Sequence, residues 1–149
     1  MFEIKESIMI ERPLAEVFDT VADPFSQLKW DAGTLTHVEK LTEGPLATGA
    51  RYRGQFKGFG VVEYEFPEYE PYRRFAQHAV MPFGDSNHIF EFAPAPSGTQ
   101  FTQTLIVRPA GIGKLLAPIM KVMIKKRVHL VATEVHDYLT IGNTAAATP

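Results

Sequence analysis

The chain has 149 residues, 45% of them hydrophobic and 21% charged, with a net charge of −2 and no cysteine. That length suits one domain with a real core, and the charge gives no basic excess for nucleic acid. The absence of cysteine excludes disulfides, thiolate metal sites and a thiol nucleophile. The N-terminus, MFEIKESIMIERP, has neither the basic start nor the apolar run of a signal peptide, and no apolar run approaches the roughly 20 residues that span a bilayer. A cytoplasmic domain is expected.

In chain order, Phe2 to Glu11 alternates apolar and polar residues in its first half and reads as a strand. Pro13 opens PLAEVFDTVAD, where Leu14, Val17, Phe18 and Val21 share one face of a short amphipathic helix. DPFSQLKW starts again with Asp23 as a cap and Pro24 behind it, which predicts a second short helix. From Leu35 the period changes to two. LTHVEKL, ARYRGQF, VVEYEFPEYE, RRFAQHAVM, SNHIFEFAP and TQFTQTLIVRP read as six strands joined by short turns, an antiparallel meander with one buried face. Pro67 cannot donate to a ladder, so an edge or a bulge is expected there. A long helix is expected from near Gly111 to about Ile141, about 30 residues or about 45 Å, with Gly142 as its stop. The domain is then 1–142, and NTAAATP at 143–149 is expected to be a disordered tail.

This order of elements, carried by IERPLAEVFDTVAD, Trp30, Gly49, EYEPYRRF and FEFAPAPSGTQFTQT, resembles the helix-grip fold of the START-like (SRPBCC) superfamily over nearly the whole chain. That superfamily includes polyketide cyclase/dehydrase-like proteins, lipid-transfer domains and plant pathogenesis-related allergens. The resemblance implies an α+β fold: a curved seven-stranded antiparallel sheet wrapped around a long C-terminal helix, with two short helices closing one end. It also implies a central cavity for a hydrophobic ligand, without naming the ligand.

On the long helix, Leu116, Met120, Met123, Leu130, Val131 and Tyr138 share one face, with Lys114, Lys121, Lys125, His129 and His136 opposite. Arg127 and Glu134 fall among the apolar group. They stand about 10 Å apart along the axis, too far for an easy direct pair, so each needs another partner, water or a ligand. They are either ligand anchors or partners of groups on the sheet. On the strands, the predicted concave face carries Tyr52, Tyr64, Phe75, Phe90, Phe92, Phe101 and Leu105, with Gln77, His88 and Gln103 as isolated polar members. Greasy walls with a few orienting hydrogen bonds suit a small apolar ligand, and a filled core is the alternative for each residue. Trp30 is either a wall of the cavity or a packing anchor.

Other chemistry is not signalled. The five histidines have no metal spacing, and no cofactor is expected. GIGKLL lacks the first glycine of a phosphate loop, where Arg108 stands, and its Ser or Thr, where Leu115 stands. Ser86 in GDSN is not a nucleophile elbow. The favoured function is binding or transport of a hydrophobic small molecule: a lipid, a polyketide or an aromatic metabolite. The alternative is a cyclase, aromatase or dehydratase-like enzyme using Arg127, His88, Gln103, Glu134 and Tyr64, with His88 moving protons near neutral pH. A protein-interaction module is a third reading. The partner expected is a small molecule rather than nucleic acid, and the chain a monomer or homodimer. The basic run KVMIKKR reads as a solvated helix face with a weak membrane-surface role left open.

Overall fold

Alternation in the first ten residues produces β1 (Phe2–Ile10), which turns Ile4 and Ile10 inward. Two short helices follow, α1 (Leu14–Ala22) and α2 (Pro24–Trp30). Asp23 begins the second as expected, its carboxylate accepting from the Phe25 amide at 2.9 Å while Pro24 needs no partner. The meander is β2 (Leu35–Lys40), β3 (Arg51–Phe56), β4 (Gly60–Glu70), β5 (Arg74–Met81), β6 (Gly84–Ala95) and β7 (Gly98–Pro109). A long helix, α3 (Gly113–Asp137), ends in a π-helical turn, Tyr138–Gly142. This computed structural model describes residues 1–142, so the expected disordered tail lies outside the described residues.

The seven strands form one antiparallel sheet in the order β1-β7-β6-β5-β4-β3-β2. β1 closes onto β7, with Phe2 opposite Val107 and Ile10 opposite Thr99, so the first and last strands are neighbours. Pro67 sits inside β4, between β3 and β5, and the ladder shifts register between Glu65 and Glu68. The missing amide is thus absorbed by a bulge. The sheet curves around α3, which lies against β1 and β7, while α1 and α2 pack together at the other end. No helix among the described residues is long and apolar enough to cross a membrane.

Two features of α3 depart from the sequence reading. It begins at Gly113 rather than Gly111, because Gly111 has a left-handed φ of 57° and ends the preceding loop. Gly113 is itself required: a Cβ there would lie 1.9 Å from the Phe83 carbonyl oxygen, against the β5–β6 turn. The buried face is also different. Met120, Ile124, Val128, Val131, Ala132 and Val135 face the sheet, whereas Leu116, Met123 and Leu130 are exposed. The helix is rolled by about 80° from the expected face. Its first half is apolar nearly all round, so periodicity alone did not select the inner side.

The core is split. A large aromatic cluster under α1 and α2 contains Phe18, Tyr52, Tyr64, Phe66, Phe75, Phe90, Phe92 and Phe101. A smaller aliphatic cluster of Ile4, Leu105, Val107, Met120, Ile124 and Val128 lies where β1 and β7 meet α3. Phe75 is fully buried and stacks on Phe90 at 4.5 Å between ring centroids. Phe75→Ala should therefore cost about 3–5 kcal/mol in urea unfolding. Val80→Ala, on a residue 74% exposed, should stay within about 0.5 kcal/mol.

Candidate functional site

The two clusters do not merge. Between them lies a cavity of about 150 Å³, bounded by Val21, Trp30, Tyr64, Phe90 and Val131 from the first and by Leu105, Val107 and Ile124 from the second. Phe56, Phe59 and Val62 of the β3–β4 hairpin and Ala79, Met81 and Phe83 near the β5–β6 turn complete the apolar wall. The polar members are Gln27, Gln77, Ser86, His88 and Arg127. Few polar groups in a greasy wall is the ordinary character of a small-molecule site.

Of the residues singled out in the sequence, Trp30, Tyr64, Gln77, His88, Phe90, Leu105 and Arg127 line this space. Trp30 is a fixed wall, since its indole N–H donates to the Thr20 carbonyl at 2.9 Å. Phe75, Phe92 and Phe101 are buried in the aromatic stack beside the cavity and fill rather than line it. Tyr52 stacks on Tyr64 at 5.9 Å and borders a separate polar cleft with Asp19, Asp23, Lys40 and Tyr69. Gln103 and Glu134 stand behind lining residues, as described below. Met120 is part of the aliphatic cluster, and Tyr138 packs on the aromatic one. Met123 points outward at 52% exposure, a consequence of the rolled helix, and is not part of the cavity. The sequence reading missed Gln27, Phe83 and Ile124, and above all Asp31.

His88 is held in one tautomer by a chain of two hydrogen bonds. The Gln103 side-chain amide donates to the Val128 carbonyl at 3.1 Å, so its oxygen must face the other way. That oxygen lies 2.9 Å from His88 Nε2, which therefore carries the proton and donates. Nδ1 is left as an acceptor without a partner among the described residues. Burial, with Arg127 adding to it, lowers the His88 pKa to about 3 against the hydrogen bond to Gln103. His88 is thus a neutral hydrogen-bonding group near pH 7. A second unusual group is close by in the wall: the Tyr64 hydroxyl is buried and has no hydrogen-bond partner among the described residues. Burial raises its pKa, so it stays a neutral donor.

Arg127 is accounted for by a residue from the other end of the chain. Its Nη1 and Nη2 donate to the two oxygens of Asp31 at 2.8 and 2.5 Å. Asp31 is 0% exposed, at the end of α2, and also accepts from the Gln27 amide at 2.8 Å. Glu134 lies 3.8 Å from Arg127 Nη1, so the two do approach directly, contrary to the expectation from axial spacing; the long Arg side chain spans the two turns. Two carboxylates around one guanidinium leave an excess of negative charge. Burial first, then the nearby carboxylate of Asp31, raise the Glu134 pKa from its ordinary 4.5 to about 7, with Arg127 opposing.

These shifts set a pH dependence. Glu134 is raised, so the stability it contributes is fully present below 4.5 and is lost as pH rises through about 7. His88 is lowered, so its contribution is present above 6.5 and is lost as pH falls through about 3. Between 4.5 and 6.5 the two slopes oppose each other. Above that window Glu134 acts alone. Urea unfolding of Glu134→Gln at about pH 6 and about pH 8 should show a smaller loss of stability than the parent chain shows. Parallel losses would remove Glu134 as the cause.

Comparison with known proteins places this geometry. The chain superposes on the Zhui aromatase/cyclase from a Streptomyces species with a TM-score of 0.77 at 13% identity, covering 95% of this chain and 97% of that one. TTHA0849 from Thermus thermophilus gives a TM-score of 0.74 at 17% identity, covering 99% and 100%. The Aha1 dimer from Colwellia psychrerythraea gives 0.71 at 14%, covering 95% and 98%. Likeness at these identities speaks for the fold alone. No curated protein sequence matches the chain. The family described as polyketide cyclase / dehydrase and lipid transport matches residues 1–138, nearly every described residue, and the chain belongs to that family.

Proposed function

We propose that the protein binds and carries a compact, largely apolar molecule of about one or two rings, bearing an oxygen acceptor that meets Tyr64. The observation that carries this reading is the buried Tyr64 hydroxyl without a partner among the described residues, in the wall of an apolar cavity. A buried donor left unpaired costs about 1–3 kcal/mol, and an acceptor brought by a ligand relieves it. The size follows from the room available: dry apolar cavities of about 150 Å³ take up benzene. That favours an aromatic metabolite over an extended lipid or a full polyketide chain. His88 Nδ1 adds a second polar contact, suited to a ligand hydroxyl.

Binding is favoured over turnover on two grounds. A general base works best with a pKa near the working pH, and His88 at about 3 is far from it. Arg127 is committed to Asp31 and so is no free oxyanion clamp.

The test uses two molecules of nearly one shape, acetophenone and ethylbenzene. The single tryptophan lines the cavity, so its fluorescence reports occupancy. Acetophenone should bind about tenfold tighter, the worth of one hydrogen bond to an otherwise unpaired donor. Tyr64→Phe should bring the two affinities together. An equal preference in parent and variant would remove Tyr64 from the site, and no binding of either probe would overturn the reading.

A further inference from the structure

The roll of α3 leaves a second apolar face on the same helix, turned away from the sheet. Ile112, just before α3, and Leu115, Leu116, Ile119, Val122 and Met123 within it are all exposed, Leu115 at 82%. At 100° per residue they fall in an arc of about 120°, roughly opposite the buried Met120, Ile124 and Val128. Contiguous exposed apolar side chains on this scale mark an interaction surface. Their charged neighbours are of one sign. Lys114, Lys121 and Lys125 flank the arc on one side, between it and the buried face, and Lys126 lies within it, all exposed. None of the four takes part in an ion pair among the described residues. The sequence has no Asp or Glu between Glu91 and Glu134, although the whole chain carries a net −2. Up to Glu134, the formally charged side chains of this helix are therefore all positive.

We infer that the outward face of α3 docks on an anionic lipid surface. A helix with an apolar stripe edged by lysines lies in the interface, burying the stripe while the ammonium groups meet lipid headgroups. A second copy of the chain suits the face less well. A two-fold contact through it brings lysines toward lysines, with no carboxylate on the segment to separate them. The surface is also well placed for cargo. α3 starts against the carbonyl of Phe83, whose side chain lines the cavity. The docking itself does not depend on what the cavity holds, and its test needs no ligand.

Flotation with phosphatidylcholine vesicles, with and without phosphatidylglycerol, tests this. The full chain should float only with the anionic vesicles, and raising salt to about 0.5 M should release it. Lys114→Gln/Lys121→Gln/Lys125→Gln should weaken partition roughly a hundredfold, and Leu115→Glu/Ile119→Glu should abolish it. All five side chains are exposed, so thermal midpoints should be unchanged in both variants, which separates loss of docking from loss of fold. Flotation that ignores phosphatidylglycerol, or that both variants retain, overturns the proposal. So does a concentration-dependent dimer in sedimentation equilibrium that Leu115→Glu/Ile119→Glu dissolves, since a second copy would then cover the face.

Discussion

The bidentate pair between Arg127 and Asp31 is the constraint from which the rest follows. It joins residues 96 positions apart, one on α3 and one at the end of α2. Asp31 has no exposed surface, so its charge must be met inside the protein, and Gln27 and Arg127 do so. The pair fixes how closely the short helices approach the long one. Its Arg127 member lines the space between the two apolar clusters. The aromatic cluster stays on one side, the aliphatic cluster on the other, and a cavity remains between them.

This arrangement divides the inward polar groups by role. Arg127 and Asp31 hold the helices, and Glu134 balances them with a proton that comes off near neutral pH. Gln103 is fixed by the backbone of α3 and in turn fixes His88. Tyr64 and the free face of His88 are left for a ligand. A site built this way orients a molecule through single hydrogen bonds and has, among the described residues, no strong base or free cation with which to transform it. The family's description spans both cyclisation and lipid transport.

Much of the fold could be read from the chain. Period-two alternation marked every strand, Asp23 announced a cap, and Pro67 announced the bulge that the β4–β5 ladder shows. The helix was legible as a helix but not in its rotation, because Leu116, Met123 and Leu130 on its outer side are as apolar as Ile124 and Val128 on its inner side. Strand alternation likewise could not separate Phe75, which fills, from Phe90, which lines; both face inward, and the difference depends on what α1 covers. Asp31 was invisible because it stands in a turn with no periodicity. The one signal for it was indirect: an arginine on an apolar face demands a carboxylate. The tautomer of His88 depends on three groups from β6, β7 and α3, which no local pattern joins.

The central claim is that Arg127 and Asp31 act as one structural unit. A double-mutant cycle with Asp31→Asn and Arg127→Met, read by urea unfolding at about pH 6, tests it most directly. Each single change should cost about 3–5 kcal/mol by stranding its buried partner, and the double variant should cost clearly less than the two together. Additive costs would show that the two side chains stabilise the fold independently, and would contradict the account.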